Sequence, residues 1–228
     1  MIVAIHQPQY LPWLGYFDKI GRADTFVLLD NVQYKKNEWQ NRNRIKTAHG
    51  WQWITVPVLN EFRQKINEVK INNRVDWKKK HLHALMYNYS KSPYFDEHKP
   101  FFEHIYKKDW EYLVDINTHL IKYLVKALGI GSKILTASNF KLRNHPTERL
   151  IDICKALGAD TYLSGVDGYK YMDMEKFKQA EIKVFVQNFK HPTYSQLFRK
   201  FEPFMSIIDL VFNHGKQSLK IIRENKNR

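Results

Sequence analysis

The chain has 228 residues, of which 43% are hydrophobic and 26% charged, and its formal net charge is +14. This composition is ordinary for a globular protein, and it excludes helices that span a membrane because no stretch approaches the roughly 20 apolar residues that such a helix requires. The positive charge is densest between residues 63 and 80, which predicts an anionic partner: a nucleic acid, a nucleotide or sugar phosphate, or an acidic membrane surface.

Short apolar or β-branched runs bounded by polar residues or glycine predict six strands. They cover residues 2–6, 25–30, 53–58, 133–137, 160–164 and 182–187. Helical patterns lie between several of them, for example from Pro146 to Gly158. Strands that alternate with helices indicate a mainly parallel sheet. We therefore expect an α/β fold of three layers, with a Rossmann-like sheet.

The interval from about 75 to 128 differs from the rest because its apolar residues follow a helical period. We expect one domain, residues 1–228, that contains a helical insertion over residues 75–128. The Ser92-Pro93 step predicts a break between an earlier and a later helix of this insertion, since Pro93 lacks an amide donor. The basic tail from Lys216 to Arg228 is expected to fray at its end.

Polar side chains follow the first predicted strand at once. In an open parallel sheet, ligands bind outside the carboxyl ends of the strands. We therefore expect a pocket lined by His6, which would transfer a proton or contact a phosphate, by Gln7 and Gln9, which would orient a substrate, and by Tyr10, which would stack on a base or sugar. Gly15 would let a ligand approach closely. The alternative is a polar loop whose side chains face solvent.

The segment from 41 to 46 alternates cations with asparagines. Arg42, Arg44 and Lys46 would share one face of an extended segment and suit a phosphate, while Asn41 and Asn43 on the other face could bond sugar hydroxyls. The alternative is a solvated basic edge strand, a common device against aggregation.

Two further segments contain candidate site residues. Ser164, Gly165 and Gly168 follow the fifth predicted strand, where glycines permit close approach to a phosphate or sugar. Near the C-terminus, Asp209 and His214 could form a general base or a clamp for an amine. The alternatives are an ordinary turn and a helix end capped by Asn213 and Gly215.

Neither a metal site nor a reactive cysteine is predicted. The single cysteine, Cys154, excludes an internal disulfide and lies on an apolar helical stripe, so it is expected in the core. His81 and His83 would point to different sides of a helix, and no third ligand is spaced to join them. The N-terminus has no basic stretch followed by a long apolar one, which predicts a cytoplasmic protein.

Several motifs, in their order along the chain, resemble one family. They are "HQPQYLPWLGYFDKI" at 6–20, "NRNRIK" at 41–46, "SPYF" at 92–95, "TERLIDICKALGADTYLSG" at 147–165 and "SIIDLVFNHG" at 206–215. Together they resemble the WbqC-like family of bacterial proteins, whose members sit in gene clusters for O-antigen and related surface polysaccharides. The resemblance implies a role in making or modifying nucleotide-linked sugars, such as N-acylation of an amino sugar.

The order of elements at the N-terminus also looks like the HUP nucleotidyltransferase superfamily, in which pantothenate synthetases activate a carboxylate with ATP and pass it to an amine. Those enzymes carry an H-x-G-H signature on the first turn. This chain has Trp13-Leu14-Gly15-Tyr16 there, so both histidines are missing. If ATP is a cofactor, its phosphates must meet other groups, with His6, Arg42, Arg44 and Lys46 as candidates.

The leading interpretation is an enzyme of surface-polysaccharide biosynthesis that binds a nucleotide sugar and transfers an acyl or aminoacyl group from a donor to the sugar amine. This rests on resemblance to a family and a fold. One alternative is a basic nucleic-acid-binding protein, which six tryptophans and the charge would suit, although DNA is not expected because no DNA-binding motif is present. Another is a non-catalytic protein that binds a sugar at a membrane surface through peripheral contact.

Overall fold

A computed structural model describes residues 1–224 of the protein. The strands are β1 (Ile2–His6), β2 (Thr25–Leu28), β3 (Arg42–Thr47), β4 (Gly50–Thr55), β5 (Val58–Leu59), β6 (Lys70–Ile71), β7 (Lys133–Thr136), β8 (Thr161–Ser164) and β9 (Lys183–Val186). The helices are α1 (Leu14–Gly21), α2 (Trp77–Tyr89), α3 (Phe95–Lys107), α4 (Leu113–Ala127), α5 (Pro146–Ala156), α6 (Met174–Gln179), α7 (Ile207–His214) and α8 (Ser218–Glu224).

Five strands form a parallel central sheet in the order β7-β2-β1-β8-β9. The chain moves outward from β1 to β2 and β7, and then returns to β8 on the other side of β1. The direction of winding therefore changes between β1 and β8, which is the position where open α/β sheets form a ligand crevice. The prediction of a mostly parallel three-layer α/β fold is confirmed.

Side-chain alternation along β1 explains the two outer layers. Ala4 belongs to the larger buried cluster, which includes α1 and Phe17. Val3 and Ile5 belong to a second cluster with Cys154 of α5. Because successive side chains of a strand point to opposite faces, an uninterrupted apolar run is what a strand covered on both faces requires.

The third predicted strand, residues 53–58, is not part of the central sheet. Residues 53–55 belong to β4, which pairs with β3 in an antiparallel hairpin. Val58 belongs to β5, which pairs with β6. The correction has a physical reason: Trp53 is exposed at 38%, whereas a central parallel strand is buried on both faces.

Three helices, α2 to α4, occupy residues 77–127 between β6 and β7. The predicted break falls between the end of α2 at Tyr89 and the start of α3 at Phe95. Phe102 of α3 and Leu120 of α4 share one buried cluster with Phe17 of α1. These helices therefore extend the core on the α1 side of the sheet.

The C-terminal part closes over the β3–β4 hairpin. Residues 188–206 contain no regular helix or strand and lead into α7, whose start is tied to the first loop by Ile207 N–H donating to the Pro12 carbonyl at 2.8 Å. The tail forms α8 up to Glu224, and the predicted fraying end, residues 225–228, lies outside the described part. Within residues 1–224, none of the helices combines the length and the apolarity needed to cross a membrane.

Candidate functional site

The polar groups of the loop after β1 mostly hold another segment of the chain. The Gln7 Oε1 atom accepts a hydrogen bond from Gln40 Nε2 at 2.7 Å, and Asn43 Nδ2 donates to the Leu11 carbonyl at 2.7 Å. The Tyr10 N–H donates to the Trp39 carbonyl at 3.0 Å. This loop is therefore the platform on which residues 39–44 rest.

Tyr10 lies in the core. Its ring is fully buried, and its hydroxyl lies 2.8 Å from His81 Nδ1 and 2.6 Å from the Tyr106 hydroxyl. The expected stacking of Tyr10 on a base or sugar is therefore not supported, because the partners of the ring and hydroxyl come from α2 and α3.

Gly15 is needed for a close approach, but the approaching group is an indole. A Cβ atom at this position would overlap the Trp13 ring. The Gly15 carbonyl accepts a hydrogen bond from Gln187 Nε2 at 2.8 Å. The expected approach of a ligand to Gly15 is corrected: the protein itself fills this space.

His6 lies at the carboxyl end of β1, half-buried against the ring of Tyr16 at 5.1 Å between centroids. Its Nε2 atom is 3.4 Å from Gln9 Nε2, and Gln9 Oε1 is buried and has no hydrogen-bond partner among the residues that the structure describes. Burial of the imidazole lowers the pKa of His6 to about 3, with the charge of Lys19 as a smaller cause. The ring is therefore neutral at physiological pH and is suited to hydrogen bonding rather than to titration near pH 7.

Lys19 is a candidate that the sequence reasoning missed. Its side chain is 2% exposed, and Nζ donates to the Ile5 carbonyl at 2.8 Å. Burial lowers the pKa of Lys19 to about 7. An amine that is half neutral near pH 7 can accept a proton, which an ordinary lysine cannot. In the sequence, Lys19 stands among the apolar residues of "LGYFDKI", and the structure shows that every residue from Leu14 to Ile20 is buried.

Ser164 and its turn lie beside β1 at the same edge of the sheet. Ser164 is buried, and its hydroxyl donates to the Gly165 carbonyl at 3.0 Å. A Cβ atom at Gly168 would overlap the Ser164 side chain, whereas one at Gly165 would meet nothing within 4 Å. Gly168 therefore closes the turn against Ser164, while the space around Gly165 is open to a ligand.

The β3–β4 hairpin presents cations and tryptophans on one face. Arg44 pairs with Trp53 across the strands, and its Cζ lies 5.0 Å from the centroid of Trp51. The Cζ of Arg42 lies 4.3 Å from the centroid of Trp53. The Nε atoms of both arginines are buried and have no hydrogen-bond partner within the described residues. We call Trp39, Arg42, Arg44, Trp51 and Trp53 the Arg/Trp face.

The other three residues predicted in this segment are structural. Asn41 and Asn43 are buried, and Asn41 Nδ2 donates to the Val56 carbonyl at 3.0 Å. They are therefore not placed to bond sugar hydroxyls. Lys46 shares the face of Arg44 but is 1% exposed, and burial lowers its pKa, an effect that Glu202 and Asp209 partly offset.

Asp209 and His214 bond to different groups, and both hold the segment before α7. Asp209 is fully buried and accepts hydrogen bonds from Tyr89 Oη at 3.1 Å, Tyr194 Oη at 2.8 Å and Gln196 Nε2 at 2.8 Å. His214 Nε2 lies 2.9 Å from the Ser195 carbonyl. This arrangement does not support a joint role as a base or amine clamp.

Cys154 is buried in the core, and burial raises the pKa of its thiol to about 12. The thiol is therefore protonated at neutral pH and is a poor nucleophile. Across residues 1–224, no three His, Cys, Asp or Glu side chains converge in a way that could hold a metal ion.

Residues 7–221 match the model of the WbqC-like protein family. The chain belongs to this family. It is also similar to the uncharacterized protein Rv1507c of Mycobacterium tuberculosis, with 39% identity over 225 residues that cover 97% of each chain. A search of solved structures found no match. The resemblance inferred from the motifs of this WbqC-like protein is confirmed.

Proposed function

We propose that this WbqC-like protein is an enzyme of surface-polysaccharide biosynthesis that binds a nucleotide-linked amino sugar and transfers an acyl or aminoacyl group to its amine. Membership of the family supports the biosynthetic setting, and the Arg/Trp face supports the class of substrate. The sheet supports a reaction at its carboxyl edge, where His6 and Lys19 lie.

The observation that carries the proposal is the state of the two arginines. Each guanidinium stacks on an indole ring, and the Nε–H groups of Arg42 and Arg44 are buried and find no acceptor among residues 1–224. A buried donor without a partner destabilises the free protein and favours a ligand that supplies the acceptor. Phosphate oxygens suit a guanidinium fork, and Trp51, which is 42% exposed, offers a surface on which a base or sugar ring can stack.

Lys19 supports the chemical step. In N-acylation the sugar amine attacks the acyl carbon, the new C–N bond forms as the bond to the donor's leaving group breaks, and the amine loses one proton. The neutral Nζ of Lys19 can take up that proton, because its pKa of about 7 leaves it partly unprotonated. Neutral His6 and Gln9 would orient the substrate. ATP enters only if the donor is a free acid that must be activated.

The test is a thermal-shift screen against nucleotides and nucleotide-linked amino sugars. A ligand that binds the native state raises its melting temperature, and Arg42→Ala with Arg44→Ala should abolish this rise without lowering the melting temperature of the free protein. The matched control is Arg63→Ala with Arg74→Ala, which removes the same charge from the basic segment 63–80. An equal loss in both double variants would contradict a specific site on the Arg/Trp face.

A further inference from the structure

A cleft at the carboxyl edge of the sheet lies apart from the residues of the Arg/Trp face. It has a volume of about 430 Å³ and lies where β2 and β7 end, under α4. Its walls include Asp30, Asn67, Asp115, His119, Lys122 and Ser138. Its position obeys the rule that open parallel sheets bind ligands beyond the carboxyl ends of their strands.

Asp30, which follows β2, is hydrogen-bonded to two other residues of the cleft, Asn67 and Ser138. Its carbonyl accepts a hydrogen bond from Asn67 N–H at 3.0 Å, and its Oδ1 atom accepts one from Ser138 N–H at 2.9 Å. The residue is 2% exposed. The hydrogen bond from Ser138 N–H engages only Oδ1, which leaves the Oδ2 atom available to a ligand in the cleft.

Asn67 brings a second hydrogen-bond acceptor to the same cleft. The Oδ1 atom of Asn67 is buried and makes no hydrogen bond to the described residues. Buried oxygens are normally paired, so two incompletely used acceptors in one cleft indicate a ligand that donates several hydrogen bonds. An ammonium group has three donors and a positive charge, which fits both oxygens.

The remaining charges in the cleft are mixed. Asp115 adds a second carboxylate, and burial raises its pKa. Burial lowers the pKa of His119, with Lys108 as the next cause, which keeps that ring neutral. Lys122 adds a positive charge to the lining, and Thr118 and Ser138 add hydroxyl groups. The carboxylates of Asp30 and Asp115, with Glu111 nearby, therefore face Lys122 and the nearby Lys108, so that carboxylates outnumber lysines at this site on a protein of net charge +14.

We propose that this cleft binds the amino sugar itself, with the ammonium group on Asp30 and Asn67 and the ring hydroxyls on the side chains of α4. The volume suits one monosaccharide. This inference rests on the proposed function for the choice of a sugar, and it locates the acceptor amine at β2 and β7. The bound ammonium loses one proton to solvent before the neutral amine attacks, and the second proton is the one that Lys19 takes up. A free amino acid carries the same ammonium group, so the experiment includes it as a separate arm.

The test is a titration of the ¹⁵N-labelled full chain, followed by NMR, with the methyl glycosides of 2-, 3- and 4-amino-glucose. At least one should shift the amide signals of Asn67 and Ser138 saturably, and its N-acetylated form should bind at least tenfold more weakly. Asp30→Asn, which keeps the acceptor for Ser138 N–H, should weaken binding at least tenfold. Asp96→Asn, an exposed position on α3, should leave it unchanged.

Three results would overturn the inference: no binding of any amino sugar, equal binding of the amine and its N-acetylated form, or equal binding by the Asp30→Asn variant. If glycine binds while no amino sugar does, the first of these results has occurred, and the cleft recognises an ammonium group rather than a sugar. The titration contains no nucleotide and no acyl donor. Its outcome is therefore separable from a failure of the proposed acyl transfer, which the Arg42 and Arg44 variants and a turnover assay report.

Discussion

At the scale of single residues, Lys19 is the most informative group. Its ammonium is buried in contact with a carbonyl rather than a carboxylate, which lowers its pKa to about 7. A buried cation without a counter-ion destabilises a fold, so the position is compatible with selection for function at the expense of stability.

Lys19→Met should therefore be more stable than the parent at pH 7, and the difference should shrink as pH rises. The unfolded chain holds the lysine proton up to pH 10.5, whereas the folded protein releases it near pH 7. Stability of the parent thus rises with pH between about 7 and 10.5, by up to about 1.4 kcal/mol per pH unit. Urea unfolding of both proteins at pH 7 and 9.5 measures this. A difference that does not change with pH would show that Lys19 titrates normally.

His6 should act as a neutral hydrogen-bonding group, because its pKa is lowered to about 3. In a turnover assay His6→Gln should keep activity within a few-fold of the parent, and His6→Ala should lose about tenfold, the effect of one hydrogen bond of ~1.4 kcal/mol. A general acid or base would instead lose at least about a hundredfold in both variants. That result would restore the role in proton transfer expected from the sequence.

At the scale of helices, strands and loops, the partners of the polar side chains after β1 could not be predicted from the sequence. The polar residues after β1 were correctly placed at a strand's carboxyl end, but the sequence cannot show whether a polar side chain faces a ligand or the chain itself. Gln7 meets Gln40, and Tyr10 meets His81 and Tyr106. These partners are 33 to 96 residues away along the chain, so only the tertiary fold reveals them.

The alternation of residue types along a strand predicts which side chains share a face, but not what covers that face. The alternation of cations from Arg42 to Lys46 correctly placed the three on one face of a strand. It did not show that Lys46 would be buried, or that tryptophans of β4 would lie beside Arg42 and Arg44. The pattern of residues 53–58 is equally compatible with a sheet strand and a hairpin strand, because both have a period of two.

Asp209 holds the irregular segment 188–206 against α7. Asp209→Ala would leave the buried hydroxyls of Tyr89 and Tyr194, and the half-buried amide of Gln196, without this acceptor. We expect it to lower the free energy of unfolding by about 2–4 kcal/mol. His214→Ala, which removes a more exposed contact, should change it by less than about 1 kcal/mol. Unchanged stability in Asp209→Ala, together with lost turnover, would instead favour the catalytic role expected from the sequence.

At the scale of the whole molecule, the net charge of +14 would attract both a nucleotide sugar that binds one site and a nucleic acid that binds through many charges. A single-stranded nucleic acid that bridges many cations should lose affinity by a factor of about 10³ or more between 50 and 200 mM salt. A nucleotide sugar that contacts two arginines should lose much less. Fluorescence titrations with a single-stranded RNA and with a nucleotide-linked amino sugar compare the two directly. The reverse order would favour the nucleic-acid-binding alternative.

Binding of a nucleotide-linked amino sugar to the Arg/Trp face can be measured directly, because the chain has six tryptophans. The indole N–H signals are followed by NMR while such a sugar nucleotide is added. We expect saturable shifts for Trp39, Trp51 and Trp53, and little change for Trp77 and Trp110, which are buried in the core. No shift at Trp39, Trp51 and Trp53, or the same shifts with sodium chloride alone, would contradict binding at the Arg/Trp face.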